Sequence, residues 1–161
     1  MKLCGFTDAD WAGSPTDRKS TSGGIFSIWS TAISWYSRKQ RSLALSSTEA
    51  EYMAASLAAC EAIWMRKILV GLFGSYLEPT VIYCDNQSCI KLSANPIFHD
   101  RSNHIDINYH HIKDCVQRRI MFPTEYQDDD ILTKALTRSK FEYHRGMIGV
   151  ADNPYLFEME C

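Results

Sequence analysis

The chain has 161 residues, 45% hydrophobic and 22% charged, with a formal net charge of −2. That is the size of one domain with its own core, and the composition excludes a disordered or fibrous chain. The charge excludes binding to a polyanion by bulk attraction and leaves that task to local clusters: Arg38-Lys39-x-Arg41, Arg118-Arg119 and Arg138-x-Lys140.

Residues 2–8 read as a first strand ending at Asp8, followed by a turn at Ala12-Gly13-Ser14-Pro15 and a polar loop from Asp17 to Ser22. Gly23 to Trp29 and Ile33 to Ser37 read as a second and a third strand. Apolar runs separated by such short connections imply an antiparallel meander. A helix is predicted over about 47–70. Met53, Leu57, Cys60, Trp64 and Ile68 form one apolar stripe, and Ala55, Ala58, Ala62 and Met65 a second stripe of smaller residues. A helix apolar on two sides packs closely on a sheet, and Gly71 and Gly74 are candidate stops. Thr80 to Cys84 reads as a buried strand reached by a helical crossover, hence parallel to the first. Asp85-Asn86 caps a helix to about Ser93, and Asn95-Pro96 breaks it. A further helix over 103–119, a last strand over 120–126 and a helical region from Asp128 to about Gly149 complete the chain. The expected fold class is α/β: a mixed five-stranded sheet, with antiparallel β1-β2-β3 and then parallel β4 and β5, and helices on both faces. Residues 1–150 are expected to form the domain and 151–161 a C-terminal tail.

The six cysteines show no Cys-x-x-Cys spacing. They read as free, mostly buried thiols of a reducing compartment, cytoplasmic or nuclear. No apolar run approaches ~18 residues, so no membrane partner is expected. Strand-like sequence begins almost at once, which suggests a piece of a longer chain or a domain without a leader. Trp11, Trp29, Trp35 and Trp64 read as core residues.

Asp8 and Asp85 would close the carboxyl ends of two adjacent parallel strands, where ligands gather in open α/β sheets. Two carboxylates there repel each other unless a cation sits between them, and Mg²⁺ takes carboxylate oxygens while suiting phosphate substrates. A glutamate from the first helix would add a third ligand, as in sites that displace phosphodiesters with two ions. Ser46-x-x-Glu49 matches a capping box, which leaves Glu51 to face the sheet; Thr48-x-x-Glu51 fits the same pattern and keeps the choice open. Asp10 shares a strand face with Asp8 and reads as a solvated strand-end residue or an auxiliary acid.

Seven segments stand in order: Thr7-Asp8-Ala9-Asp10-Trp11-Ala12-Gly13; Asp17-Arg18-Lys19-Ser20-Thr21-Ser22-Gly23-Gly24; Ser34-Trp35-x-Ser37-x-Lys39-Gln40; Leu45 to Tyr52; Cys84-Asp85-Asn86-Gln87; His104-Ile105-Asp106-x-x-Tyr109-His110; and Asp130 to Leu136. Together they resemble the ribonuclease H domain of copia-type LTR-retrotransposon Pol polyproteins, over nearly the whole chain to about Val150. The resemblance implies a ribonuclease H-like fold, two Mg²⁺ (or Mn²⁺), and hydrolysis of the RNA strand of an RNA–DNA hybrid during reverse transcription. It also implies a reverse transcriptase domain of the parent polyprotein as partner. By motif, Asp8, Glu51, Asp85 and Asp130 take the catalytic and metal-binding places. Gln87 takes a place that touches the hybrid's minor groove, where a neutral side chain can read 2′-hydroxyls. Asn86, Ser14, Arg38 and Lys39 complete the expected substrate contacts.

The chain departs from that pattern between the last strand and the Asp130 motif. The approach is shortened, and Asp129 stands where the family has Ala, so Asp128, Asp129 and Asp130 all stand as candidates for the fourth ligand. Two readings follow: a working ribonuclease H, or a catalytically decayed nucleic-acid-binding or interaction domain that keeps the fold. His104 and His111 share a helix face but lack the tighter spacing of a zinc site, and His110 is likewise assigned no metal.

Overall fold

Three strands linked by short connections begin the fold: β1 (Leu3–Asp10), β2 (Thr21–Ile28) and β3 (Thr31–Lys39). β2 pairs antiparallel with both of the others. The chain then enters the long helix α1 (Ser47–Phe73) and returns in β4 (Thr80–Cys84), parallel to β1. A parallel return cannot be made by a tight turn, which is why the helix lies between the two strands. After α2 (Gln87–Ala94), β5 (Met121–Glu125) pairs parallel with β4, and α3 spans Arg138–Met147. The sheet order is β3-β2-β1-β4-β5. This computed structural model describes residues 1–29, 31–74, 76–94, 112, 114–116, 121–125, 133–134, 136–147 and 150.

The meander strands run past the bounds expected from their apolar residues. Polar residues such as Thr21, Arg38 and Lys39 still donate and accept along the ladder, and hydropathy does not register that. The extension matters most in β1. Its pairing with β2 continues through Asp8↔Gly23 and Asp10↔Thr21, whereas its pairing with β4 ends at Thr7↔Cys84. Asp8 and Asp85 are therefore the residues that directly follow the last parallel pair. The first strand ends two residues later than expected, yet the two acids still meet at one point of the sheet.

α1 starts and stops by local chemistry. The Ser46 hydroxyl accepts the Glu49 N–H at 3.2 Å, and Gly74, at φ 60, returns its own N–H to the Val70 carbonyl at 2.8 Å. Gly71, expected as a stop, lies inside the helix. The face that meets the sheet is the small-residue one: Glu51, Ala55, Ala58, Ala62, Met65 and Leu69 are buried. Of the stripe Met53, Leu57, Cys60, Trp64 and Ile68, the last three are exposed, Trp64 at 56%, while Met53 and Leu57 are half-buried at the edge of the core. Trp11, Trp29 and Trp35 are exposed as well, so the four tryptophans are not the core residues expected. The sheet explains the choice of face. It already presents Leu3, Phe26, Tyr36 and Ile82 to the core, and a second bulky layer would hold the helix away from it. Within the sheet, glycines make room for these rings. A Cβ on Gly5 would lie 2.7 Å from the Phe26 ring, and one on Gly24 would lie 2.4 Å from that of Tyr36.

α1 packs on β1, β2 and β4 and touches α2, which also meets β4 and β5. Among the described residues, Ile112 and Cys115, both helical, join the same core. Phe6 and Tyr83 are half-buried and stack with ring centroids 4.9 Å apart. The described contacts thus account for helices on the α1 face of the sheet. The other residues of the predicted 103–119 helix lie outside the described set, as do His99, His104, His110 and His111. The tail 151–161 lies outside it as well.

Candidate metal centre

Two glutamates one turn into the same chain segment have different tasks. Glu49 folds back over the helix start, where its Oε2 accepts the Leu45 N–H at 2.8 Å. The capping box is closed on the residue before the N-cap rather than on Ser46 itself, but the carboxylate is committed to that end of the helix. Glu51 faces the sheet. Its Oε1 accepts the Ala9 N–H at 3.2 Å, the amide that directly follows Asp8.

The other oxygen, Glu51 Oε2, is buried and has no hydrogen-bond partner among the described residues. The residue is 6% exposed. Burial, followed by the negative charge of Asp85, Cys84 and Asp8, pushes its pKa up to about 9, against the opposing Ala9 N–H. A carboxylate in that setting keeps a proton or takes a cation.

Ligand atoms of Glu51, Cys84 and Asp85 all lie within 4.8 Å of one another. Two like charges at that separation repel by about 3.5 kcal/mol at an effective dielectric of about 20. Asp85 is exposed and forms the open side of the cluster, while Glu51 and Cys84 form its buried floor. Asp8, 3% exposed, stands beside the cluster, and its Oδ2 accepts a hydrogen bond from the Thr133 hydroxyl. That contact, across 125 positions of sequence, brings the segment after Asp130 to the end of β1. Asp128, Asp129 and Asp130 themselves lie outside the described residues. The donor set suits a divalent cation: several carboxylates, one of them an orphaned buried oxygen, around an opening to solvent.

Asp10 points elsewhere. Its carboxylate fills the space above Gly13, where a Cβ would come within 1.8 Å of Oδ2. It is half-buried at the last position of β1, closer to the strand-end reading than to an auxiliary acid.

The expected substrate contacts fall into two groups. Asn86 and Gln87 follow Asp85 directly. Asn86 caps α2, with its Oδ1 accepting the Cys89 N–H at 2.9 Å, and Gln87 is exposed in the first turn. Arg38 and Lys39 lie at the end of β3, where Arg38 pairs in register with Ser22 and Ser22 with Ala9. They are therefore two strands across from the acids, about 10 Å away at the usual strand spacing. Each has an internal partner: Arg38 with Glu61 at 3.2 Å, and Lys39 with Asp17 at 2.9 Å. Ser14 belongs to the same corner. Its hydrogen bond to Asp17, with that of Lys39, holds the Asp17 carboxyl well below the usual range.

Two residues of the centre were missed by sequence reasoning. Cys84 stands in the sequence as a free thiol, a strand end and the first residue of the Cys84–Gln87 motif; its position one before Asp85 was the available signal. Thr133 stood inside a recognised motif without a task.

In sequence, the chain is 42% identical over 155 residues to the retrovirus-related Pol polyprotein of transposon TNT 1-94 from Nicotiana tabacum, covering 94% of this chain and 12% of that protein. It is 41% identical over 158 residues to the Pol polyprotein of transposon RE1 from Arabidopsis thaliana, covering 96% of this chain and 11% of that protein. The chain thus spans about one-eighth of the curated relatives it matches. In structure, it is similar to the N-terminal RNase H domain of Rv2228c from Mycobacterium tuberculosis, with a TM-score of 0.59 at 12% identity over 83% of this chain and 96% of that one. It is also similar to the foamy viral protease-reverse transcriptase in complex with an RNA/DNA hybrid, with a TM-score of 0.56 at 16% identity over 77% of this chain and 17% of that one. Identities this low speak to the fold alone. No protein-family model matches the chain.

Proposed function

Because the chain belongs to the ribonuclease H region of copia-type retrotransposon Pol polyproteins, we propose that it hydrolyses the RNA strand of RNA–DNA hybrids. The observation that carries this reading is the buried Glu51 Oε2, without a hydrogen-bond partner among the described residues, in a carboxylate grouped with Asp85 at the carboxyl ends of β1 and β4. Such an oxygen among like charges keeps a proton or takes a cation, and the carboxylates around it supply the further ligands of a cation.

On this reading Asp8, Glu51 and Asp85, with a fourth carboxylate from Asp130, would hold two Mg²⁺ (or Mn²⁺). When bound, the ions supply Lewis-acid activation of a water and neutralise charge on the leaving oxygen. The chain's own residues do the positioning. The Ala9 N–H fixes one oxygen of Glu51 and so aims the other. The Thr133 hydroxyl holds Asp8 Oδ2 and sets the angle of that carboxylate. Asp85, exposed at the rim, is where a backbone phosphate would enter. Gln87, exposed beside it, would meet the hybrid's minor groove, with Asn86 holding the turn that presents it. Arg38 and Lys39, about 10 Å across the sheet, would meet phosphates farther along the duplex together with Ser14, the two cations exchanging Glu61 and Asp17 for the backbone. The hybrid-bound foamy viral protein of like fold supports that class of substrate. Within a full polyprotein, the reverse transcriptase domain would be its partner.

The test is cleavage of an end-labelled RNA–DNA hybrid by the purified chain in Mg²⁺. RNA-strand cuts that vanish in chelator are expected, and Asp8→Asn should abolish them while the circular dichroism spectrum stays unchanged. A folded wild-type chain that binds Mg²⁺ and hybrid but cuts nothing would replace this reading with that of a decayed binding domain. Full activity in Asp8→Asn would remove Asp8 from the mechanism.

A further inference from the structure

The floor of the centre contains a ligand that a hard cation does not call for. Cys84 is 1% exposed, and its sulfur belongs to the same group as the Glu51 and Asp85 oxygens, all within 4.8 Å of one another. The position follows from the fold. Thr80, Ile82 and Cys84 alternate onto the buried face of β4, under the same face of α1 that carries Glu51, and the strand ends there. The thiol of Cys89, also 1% exposed, hydrogen-bonds the Cys84 sulfur from the first turn of α2 and holds it in place.

We propose that Glu51, Cys84 and Asp85 form a mixed thiolate–carboxylate site for a thiophilic divalent cation of the zinc class. Zinc accepts sulfur at about 2.3 Å and carboxylate oxygen at about 2.0–2.2 Å, so adjacent ligands of a tetrahedral ion stand about 3.5 Å apart. Closing from within 4.8 Å to that edge takes side-chain adjustment and no strand movement. Three protein ligands leave the fourth position open toward Asp85, the exposed member, which is also the way in for the ion. The independent mark of a ligand here is Glu51 Oε2, more than nine-tenths buried and without a hydrogen-bond partner among the described residues. Binding at neutral pH releases the Cys84 and Glu51 protons to solvent as the metal–sulfur and metal–oxygen bonds form, and no electron is transferred. Mg²⁺ has no use for the sulfur, whereas zinc does, and the two ions would share Glu51 and Asp85. Zinc therefore excludes the hard ion rather than adding to it.

The site does not rest on the hydrolysis reading, because its occupancy is read without nucleic acid and without turnover. The experiment titrates the metal-free full chain with Co²⁺ as a spectroscopic stand-in for zinc, then displaces it with Zn²⁺. A near-ultraviolet thiolate-to-cobalt charge-transfer band is expected in the wild type and in Cys60→Ser, which removes an exposed thiol. The band should vanish in Cys84→Ser, and zinc affinity should fall about 100-fold or more, as for loss of a ligand whose supporting shell alone is worth 10–100-fold. Glu51→Gln leaves every thiol intact and should lose a similar factor, which keeps the test decisive if Cys84→Ser does not fold. Zinc should also suppress Mg²⁺-induced thermal stabilisation in the wild type and fail to do so in Cys84→Ser. A missing band in the wild type, a band that persists in Cys84→Ser, or unchanged zinc affinity in Glu51→Gln would each overturn the proposal.

Discussion

Replacing Glu51 by Gln should stabilise the metal-free protein at neutral pH, although it removes a residue of the centre. Burial and the neighbouring negative charges push this carboxyl up to about 9 in the fold, from an ordinary value of 4.5. Below pH 4.5 it is protonated whether the chain is folded or not and contributes no difference. As the pH rises, the unfolded chain releases the proton while the folded one retains it, so stability falls until the folded carboxyl also ionises near pH 9. Each pH unit between those limits removes about 1.36 kcal/mol, so about 4 kcal/mol is lost by pH 7.5. That is a large share of a stability of about 5–15 kcal/mol. Gln is nearly isosteric. Its carbonyl can accept the Ala9 N–H, and its amide can donate toward Asp85 at the position of the orphaned Oε2. Urea unfolding in chelator from pH 5 to pH 8 measures the effect. The wild type should lose stability across that range and Glu51→Gln should stay nearly flat, so the variant is the more stable protein at pH 7.5. Added Mg²⁺ should raise the wild type and leave the variant unmoved. If Glu51→Gln is less stable than wild type in chelator at pH 7.5, the carboxylate has a cationic or donor partner and the argument for a cation site fails.

Other contacts make smaller claims. Ser46→Ala removes the cap of α1 and should cost about 1 kcal/mol by chemical denaturation, with no change in metal response. Gly24→Ala pushes a Cβ to 2.4 Å from the Tyr36 ring and should cost about 1–3 kcal/mol by overpacking; pairing it with Tyr36→Leu should recover part of that loss, as a thermal melt would show. Thr133→Val removes the hydroxyl that donates to Asp8 and should cost about 1 kcal/mol, together with weaker Mg²⁺ binding by calorimetry. Unchanged Mg²⁺ binding would mean that Thr133 has no part in setting Asp8.

Much of the centre was legible because it is local. Asp85 follows an apolar five-residue run, Asn86 carries the chemistry of a cap, and Ser46-x-x-Glu49 announces a helix start; none of these needs distant residues. Capping logic left Glu51 to face the sheet while Thr48-x-x-Glu51 kept the choice open; in the fold Glu49 accepts the Leu45 N–H and Glu51 accepts the Ala9 N–H. The packing face of α1 was not legible. Periodicity offered two stripes, one with Leu57, Trp64 and Ile68 and one of smaller residues, and did not say which meets the sheet. The alanine stripe faces inward because Phe26, Tyr36 and Leu3 already fill the layer, a fact about the sheet that no window along the helix contains.

The sequence by itself determined the strand and helix order, the crossover that makes β4 parallel to β1, and the carboxylates at the strand ends, because period, caps and turns act over a few residues. Tertiary structure alone decided the register that sets Asp8 and Asp85 side by side, the arrival of Thr133 at Asp8, and the burial of Cys84 beside Glu51. Those depend on which side chains share a volume after the sheet has formed, and that is a property of packing rather than of spacing along the chain.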